Sequence, residues 1–313
     1  MPLFSFTFLH GEKLAIRSPH QDQGRRNELL ESWITPRPSS CEGRQSARNH
    51  TQWLDMNDLW LQRFVPRPHA RARLFCFPYA GVGAAVYRLW PAAMPADLEV
   101  CAIQLPGRGN RLREPALTSI LALVEALLPV LRPQLDLPFA FFGHSMGAVL
   151  ASEVARALQR HGPMPRHLLV SGRRPAHWPN PDPLLHLLPD AEFVTEINRR
   201  YGGIPSEVAQ HKELLDLLLP CLRADIAALE THTPPPSREP LSCPISVFGG
   251  AADPLTPRDH LDAWRGETTG AFRVRVFPGD HFYLNACREA LLADLTATLA
   301  PLLADTLARE TTE

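Results

Sequence analysis

Residues 139–160 leave the surrounding chain few options. The apolar run Phe139-Ala140-Phe141-Phe142 leads into Gly143-His144-Ser145-Met146-Gly147, and Ala148 to Arg160 follows with helical apolar spacing. A strand that becomes a helix across so tight a turn strains the backbone of its central residue. Glycines two before and two after let the neighbouring chain pack beneath, while the serine Oγ projects at the edge of a sheet. A random G-x-S-x-G is expected only about 0.05 times in a chain with this glycine and serine content. Ser145 is therefore the expected nucleophile. His144 is the adjacent histidine, but neighbours on such a turn point apart, so it is expected to pack or bond locally rather than serve as the base.

The rest of the chain supplies the sheet. Leu74 to Phe77, Leu98 to Ile103, Phe139 to Phe142, His167 to Val170, Ile245 to Phe248 and Phe272 to Phe277 read as strands. Thr118 to Leu131, Met146 to Arg160, Pro257 to Trp264 and Leu284 to Leu303 carry helical spacing between and after them. Strands alternating with helices imply an α/β class with a mostly parallel sheet covered on both faces. One insertion breaks the alternation: Arg173 to Cys243, about 70 residues where about 2 to 6 are usual. In it Asp190 can cap a helix that stops at Gly202-Gly203, and Leu214, Leu217, Leu218, Cys221, Leu222, Ile226 and Leu229 form a wide apolar stripe. Pro220 falls inside that stripe and predicts a kink rather than a break. The insertion reads as a helical cap.

A serine hydroxyl needs an imidazole to take its proton and a carboxylate to orient the imidazole. On a sheet of this kind the chain order is Ser, then Asp or Glu, then His, with both partners in loops at strand C-terminal ends. Two loops fit: Gly249-Gly250-Ala251-Ala252-Asp253-Pro254 and Pro278-Gly279-Asp280-His281-Phe282. Asp253 and His281 are the candidates. Asp259 and Asp262 lie further on in a helical pattern, and His232 and His260 follow no strand. An aspartate before proline is also a common turn residue, and Asp280 is read as a cap or turn former. Negative charge on the attacked carbonyl calls for two backbone N–H groups: Met146, directly after the nucleophile, and Ala80, in the glycine-rich loop Phe77 to Gly83. That loop completes neither G-x-G-x-x-G nor G-x-x-x-x-G-K-[ST], so it offers little to a nucleotide.

Composition removes other classes. With 32 Lys+Arg against 33 Asp+Glu the formal charge is −1, which favours neither a nucleic-acid surface nor an acidic tail. The six cysteines, Cys41, Cys76, Cys101, Cys221, Cys243 and Cys287, form no C-x-x-C pair, so neither a zinc site nor a redox motif is expected. Leu117 to Leu131 is the nearest approach to a membrane span and is interrupted by Ser119, Glu125 and Pro129. The apolar patch Leu3 to Leu9 has no basic residue before it and no cleavage site soon after, so a cytoplasmic protein is expected. Arg17 to Asn49 is mostly polar. It reads as a tail, with Leu29, Leu30, Trp33 and Ile34 its one apolar cluster.

The chain resembles the free-standing type II thioesterases that accompany polyketide synthases and nonribosomal peptide synthetases. The resemblance covers Leu59 to about Leu303. Beyond Gly143 to Gly147, it rests on Leu59-Trp60-Leu61, Phe77-Pro78-Tyr79-Ala80-Gly81, Pro106-Gly107-Arg108 with Arg111 and Glu114-Pro115, Leu188-Pro189-Asp190 with Phe193, Leu219-Pro220 with Leu222-Arg223-Ala224-Asp225, Gly249 with Asp253, and Gly279-Asp280-His281-Phe282. It implies an α/β-hydrolase fold, a Ser145, Asp253 and His281 triad, Ala80 and Met146 as the oxyanion hole, and Arg173 to Cys243 as a mobile lid. Family members usually have a second glycine directly after Ala-Gly, where this chain has Val82. They also begin only a few residues before Leu59-Trp60. Met56 is therefore a candidate start, residues 1–55 an extension without catalytic role, and 56–313 the enzyme.

The implied reaction is hydrolysis of acyl or aminoacyl thioesters carried on the phosphopantetheine arm of a carrier domain, which clears stalled or misprimed synthases. No cofactor and no metal are implied, and the partners are acyl or peptidyl carrier domains, met by a monomer. Arg108, Arg111, Arg113, Arg173 and Arg174 could form a docking face for an acidic carrier, or be ordinary solvated surface. The alternatives are a small-ester or lipid hydrolase of the same fold and a non-catalytic hydrolase-fold binding protein. A cyclising domain cut from a synthase is set aside, because no G-x-D-S carrier signature precedes the fold.

Overall fold

Seven strands make one sheet in a computed structural model that describes residues 59–178, 183–204, 208, 210–235 and 238–310. They are β1 (Leu61–Gln62), β2 (Ala72–Phe77), β3 (Leu98–Ile103), β4 (Phe139–His144), β5 (His167–Ser171), β6 (Ile245–Gly250) and β7 (Phe272–Phe277). Their spatial order is β1-β3-β2-β4-β5-β6-β7, parallel except for β1. This is the expected α/β arrangement. The antiparallel β1 was not foreseen, since two residues are too few to show a period. The expected extension at residues 1–55 lies outside the described residues.

Side-chain alternation divides the core into two layers. Phe75, Phe77, Phe139, Phe141, Val170 and Val247 point to one face and pack under α1 (Ile120–Leu131) and α2 (Met146–His161). Leu74, Cys76, Ala140, Phe142, Leu169 and Phe248 point to the other. Strands β3 and β4 are buried along their whole length, as a parallel sheet covered on both faces requires. Edge strand β7 instead carries Arg273 and Arg275, which pair with Asp294.

The insertion contains α3 (Asp190–Tyr201) and α4 (Lys212–Glu230), and its small core includes Leu185, Phe193, Ile197, Leu219, Leu222 and Ile226. Gly202 ends α3 at φ +62°, as its sequence position suggested. Two details differ from expectation. Asp190 is the first helical residue, not the cap. Its carboxylate pairs with Arg223 at 2.6 Å, an ion partner stronger than a capping N–H. Helix α4 continues through Pro220, but Leu214 and Leu217 are 43% and 53% exposed, because only its second half lies against the body.

The C-terminal helical patterns are interrupted. Residues expected as one helix from Pro257 form α5 (Arg258–Asp262) followed by a 3-10 turn, Ala263–Glu267. The run from Leu284 divides into α6 (Tyr283–Ala286) and α7 (Arg288–Glu310). Cys76, Cys101, Cys221 and Cys243 are buried free thiols, and burial pushes Cys101 up to about 12 and Cys243 up to about 11. Cys41 lies outside the described residues. Among the described residues no helix is long and apolar enough to cross a membrane, and no three side chains are grouped to hold a metal.

Candidate active site

Strand β2 is flanked by β3 on one side and β4 on the other, so the chain reverses its direction of winding there. The loops leaving β2 and β4 diverge at that point and open a crevice at their C-terminal ends. Ser145 sits in it, with φ +53° and ψ −115°, the one non-glycine residue of positive φ among those described. The cause is steric. A Cβ on Gly143 would stand 2.1 Å from the Gly147 carbonyl oxygen, and one on Gly147 would stand 2.1 Å from that of Phe77. Helix α2 therefore begins pressed onto β2 and β4, and Ser145 absorbs the change of direction.

Asp253 follows β6 and His281 follows β7. Their two loops are joined by the Ala251 N–H to the Phe277 carbonyl and the Ala252 N–H to the Gly279 carbonyl, each 2.8 Å. A Cβ on Gly250 would come 2.2 Å from the Asp280 carbonyl oxygen, so glycine is what lets the loops approach. Asp280 Oδ1 accepts the Phe282 N–H at 2.9 Å, the turn-forming role expected of it. The result is a chain of contacts. His281 Nδ1 lies 2.8 Å from Asp253 Oδ2, and His281 Nε2 lies 3.1 Å from Ser145 Oγ.

All three side chains are buried. The carboxylate fixes the tautomer: with the proton on Nδ1, Nε2 faces the serine as an acceptor. Burial by itself would raise the Asp253 pKa. Hydrogen bonding and attraction to His281, with further bonds from Thr256 Oγ1 at 2.7 Å and the Leu255 N–H at 2.9 Å, outweigh it and hold the carboxyl below its usual range. Asp253 is thus kept ionised beside the imidazole. Asp259 and Asp262 stay on α5, where Asp262 pairs with Arg258.

His144 does not compete. Its Nδ1 meets Ser171 Oγ at 2.8 Å, and that oxygen meets the Tyr283 hydroxyl at 2.6 Å. Burial, then repulsion from His281, depresses the His144 pKa well below the ordinary value, so the ring is a neutral wall.

Met146 opens α2 directly after the serine, and Ala80, in the loop after β2, lines the same cleft as Ser145. Gly81 takes φ +79°, and its N–H goes to Asp225 Oδ2 at 2.7 Å. Gln104 Oε1 accepts the Ala84 N–H at 2.8 Å, so the loop is held at both ends. An apolar cleft beside Ser145 is bounded by Tyr79, Ala80, Ile197, Leu222, Ile226 and Phe282. A more polar recess that also reaches His281 is lined by Arg173, Arg174, Arg200, Glu230 and Thr256.

Two arginines were misplaced by sequence reasoning. Arg108 is 5% exposed and Arg111 6%, so neither can belong to a docking face. Arg108 Nη2 donates to Asp225 Oδ1 at 2.9 Å, and Nη1 reaches the other carboxylate oxygen. Arg111 bonds Glu114 at 2.8 Å and lies 3.8 Å over the Trp60 ring. Arg113 is exposed, and Arg173 and Arg174 are partly so. Asp225 falls within the Leu222-Arg223-Ala224-Asp225 segment, with no role expected of it from the sequence. Its signal was position, since a carboxylate between Cys221 and Leu229 on the apolar stripe of α4 must be buried.

The family described as "Thioesterase domain" matches residues 72–299. Linear gramicidin dehydrogenase LgrE of Brevibacillus parabrevis is 41% identical over 244 residues, covering 77% of this chain and 92% of its own. Thioesterase PikA5 of Streptomyces venezuelae is 42% identical over 229 residues, 72% of this chain and 80% of its own. Among solved structures, the type II thioesterase BorB from the borrelidin biosynthetic cluster is 37% identical with a TM-score of 0.70, covering 79% of this chain and 98% of its own. The word dehydrogenase in the first name has no counterpart in this chain's glycine loop, Gly81-Val82-Gly83, which completes no dinucleotide fingerprint.

Proposed function

The chain belongs to the thioesterase domain family, and from that premise we propose that it is a type II thioesterase, releasing aberrant or stalled acyl groups from the carrier domains of a polyketide or nonribosomal peptide synthase. The observation that carries this reading is the Ser145, His281 and Asp253 relay, with distances of 3.1 and 2.8 Å, beside an apolar cleft.

In this reading Ser145 Oγ attacks the thioester carbonyl carbon while His281 Nε2 takes the hydroxyl proton. The carbonyl oxygen becomes an oxyanion facing the N–H groups of Ala80 and Met146. Collapse breaks the carbon–sulfur bond, and His281 returns the proton to the departing sulfur. Water, losing a proton to His281, then attacks the acyl-serine. The acid leaves, and Ser145 recovers its proton. Every proton is accounted for by the imidazole, and the steps call on no cofactor. Asp253 stabilises the imidazolium in both halves.

The cleft beside Ser145 takes the acyl group, and the recess with Arg173, Arg174 and Arg200 faces the carrier side. The partner is an acyl or peptidyl carrier domain, met by a monomer, with Arg113 as exposed positive charge toward it. The same fold also serves small-ester hydrolases, and a thiolate leaves so readily that the triad alone does not choose between them. Turnover of an acylated carrier should exceed that of a matched soluble oxyester, with a pre-steady-state burst and with labelling of Ser145 by a fluorophosphonate. Preference for the oxyester would favour an ester hydrolase, and absence of labelling a binding protein.

A further inference from the structure

Asp225 joins the insertion to the loop that holds Ala80, and neither the triad nor the apolar cleft explains why a carboxylate is buried there. It lies in the body-facing half of α4 and is wholly inaccessible. One oxygen accepts the Gly81 N–H at 2.7 Å, a contact between residues 144 apart in sequence. The other accepts from Arg108, whose second amino group also reaches this carboxylate and stands 3.4 Å from the Val82 carbonyl. The helix rests on the loop directly, since a Cβ on Gly81 would come 2.9 Å from Leu222 Cδ1.

A buried ion pair of this sort adds little net stability, because desolvation offsets most of the attraction. What it does provide is direction. Gly81 follows Ala80, so the peptide plane that carries the Gly81 N–H also ends the Ala80 residue. Fixing that N–H on Asp225 fixes the plane on the C-terminal side of Ala80 and so restricts the directions in which the Ala80 N–H can point. Arg108 compensates the carboxylate charge and grips both of its oxygens, so the acceptor cannot turn away.

We propose that Asp225 is a positioning residue: by accepting the Gly81 N–H from helix α4 of the insertion, and held by Arg108, it sets the Ala80 N–H in the oxyanion hole. The hole is then complete only when α4 is seated. The inference rests on the acyl-transfer reading above.

Two double variants separate the hydrogen bond from the ion pair. Arg108→Met with Asp225→Asn keeps a side-chain oxygen for the Gly81 N–H, and Arg108→Met with Asp225→Leu does not. The leucine pair is expected to lose about 10- to 100-fold in kcat relative to the asparagine pair, with KM changed by less than about threefold, and to lose affinity for a trifluoromethyl ketone by the same factor as kcat. Equal kcat and equal ketone affinity in the two pairs would overturn the proposal. If the leucine pair does not fold, Arg108→Lys provides the second arm, because an ammonium cannot hold both oxygens. A drop in kcat and ketone affinity at constant KM is expected there, and unchanged values overturn the proposal. Failure of the underlying reading is distinct, since it appears in the unaltered chain as absence of hydrolysis and of Ser145 labelling.

Discussion

The backbone amide of Ser145 is bonded to the carbonyl of Ser171, at 2.8 Å, across the C-terminal ends of β4 and β5. The same Ser171 holds His144 through its hydroxyl. A residue at φ +53° costs on the order of 1–3 kcal/mol and persists only where its surroundings over-determine it. Here the neighbouring strand fixes the amide, the glycines on either side fix the spacing, and α2 fixes the exit. Ser145 is thereby presented to His281 before any substrate arrives.

Replacing Ser145 with alanine should abolish turnover of an acyl thioester by about 10⁴-fold or more while leaving the melting temperature within a few degrees of the parent. Steady-state hydrolysis and thermal melts on the same sample check this. A variant that melted normally and still released acid at the parent rate would remove Ser145 from the mechanism.

Asp253→Asn is expected to lower kcat by about 10³- to 10⁴-fold, because an amide can favour the wrong imidazole tautomer. The carboxyl pKa is held low in the folded state, so its contribution to stability is complete above the unfolded value of about 3.9 and is lost as pH falls through the folded value. Urea unfolding from pH 6 down to pH 2.5 should show the gap between parent and variant closing below about pH 4. A gap constant over that range contradicts the assignment.

Gly147→Ala should be far more damaging than an ordinary helix substitution, for which alanine is favourable. The added Cβ would lie 2.1 Å from the Phe77 carbonyl oxygen, against backbone that cannot move without dragging β2. A loss of about 3 kcal/mol or more, or failure to accumulate as soluble protein, is the expected outcome. A melting temperature equal to the parent's would show that α2 does not press on β2 as described.

His167 is expected to give the protein an acid sensitivity unrelated to catalysis. Burial, then the nearby Arg273 guanidinium, lowers its pKa to about 4, and its Nε2 meets Ser246 Oγ at 2.9 Å. A depressed histidine binds its proton later in the folded state than in the unfolded one. Stability is therefore full above about pH 6.5 and falls as pH drops toward 4, by up to about 1.4 kcal/mol per pH unit. His167→Gln should flatten that part of the curve, with His144 leaving a residual slope of the same sign. An unaltered slope would exclude His167 as a source.

Leu222→Trp narrows the apolar cleft from α4. It is expected to raise KM for long acyl thioesters at least about tenfold, with less effect on acetyl, since burying each methylene contributes roughly 0.8 kcal/mol. Acyl-length series on parent and variant decide it. An unchanged preference would place the acyl group elsewhere.

Much of this is legible in the amino-acid sequence alone. The tight turn at Ser145 is written in consecutive residues, because glycine, serine and the change from strand to helix period act over a few bonds. Strand-end loops pointed to Asp253 and His281, and the fold brings these two within hydrogen-bonding distance of one another and His281 of Ser145. The apolar runs of β2 to β7 announced a sheet covered on both faces. Where sequence reasoning failed, the missing information was distance. A period of 3.6 placed Leu214 and Leu217 on the stripe with Leu222, yet only packing determines how far along α4 the body extends. Asp190 looked like a cap until Arg223 arrived from another helix.

The sequence by itself determined the order of chemistry along the chain and the strain at Ser145, since both follow from local covalent geometry and hydrophobic period. Tertiary structure alone decided which charges are surface and which are internal. Arg108 and Asp225, 117 residues apart, carry nothing locally that tells a solvated ion from a buried pair. That outcome depends on how closely α4 approaches the loops after β2 and β3, and close approach is a property of the packed whole.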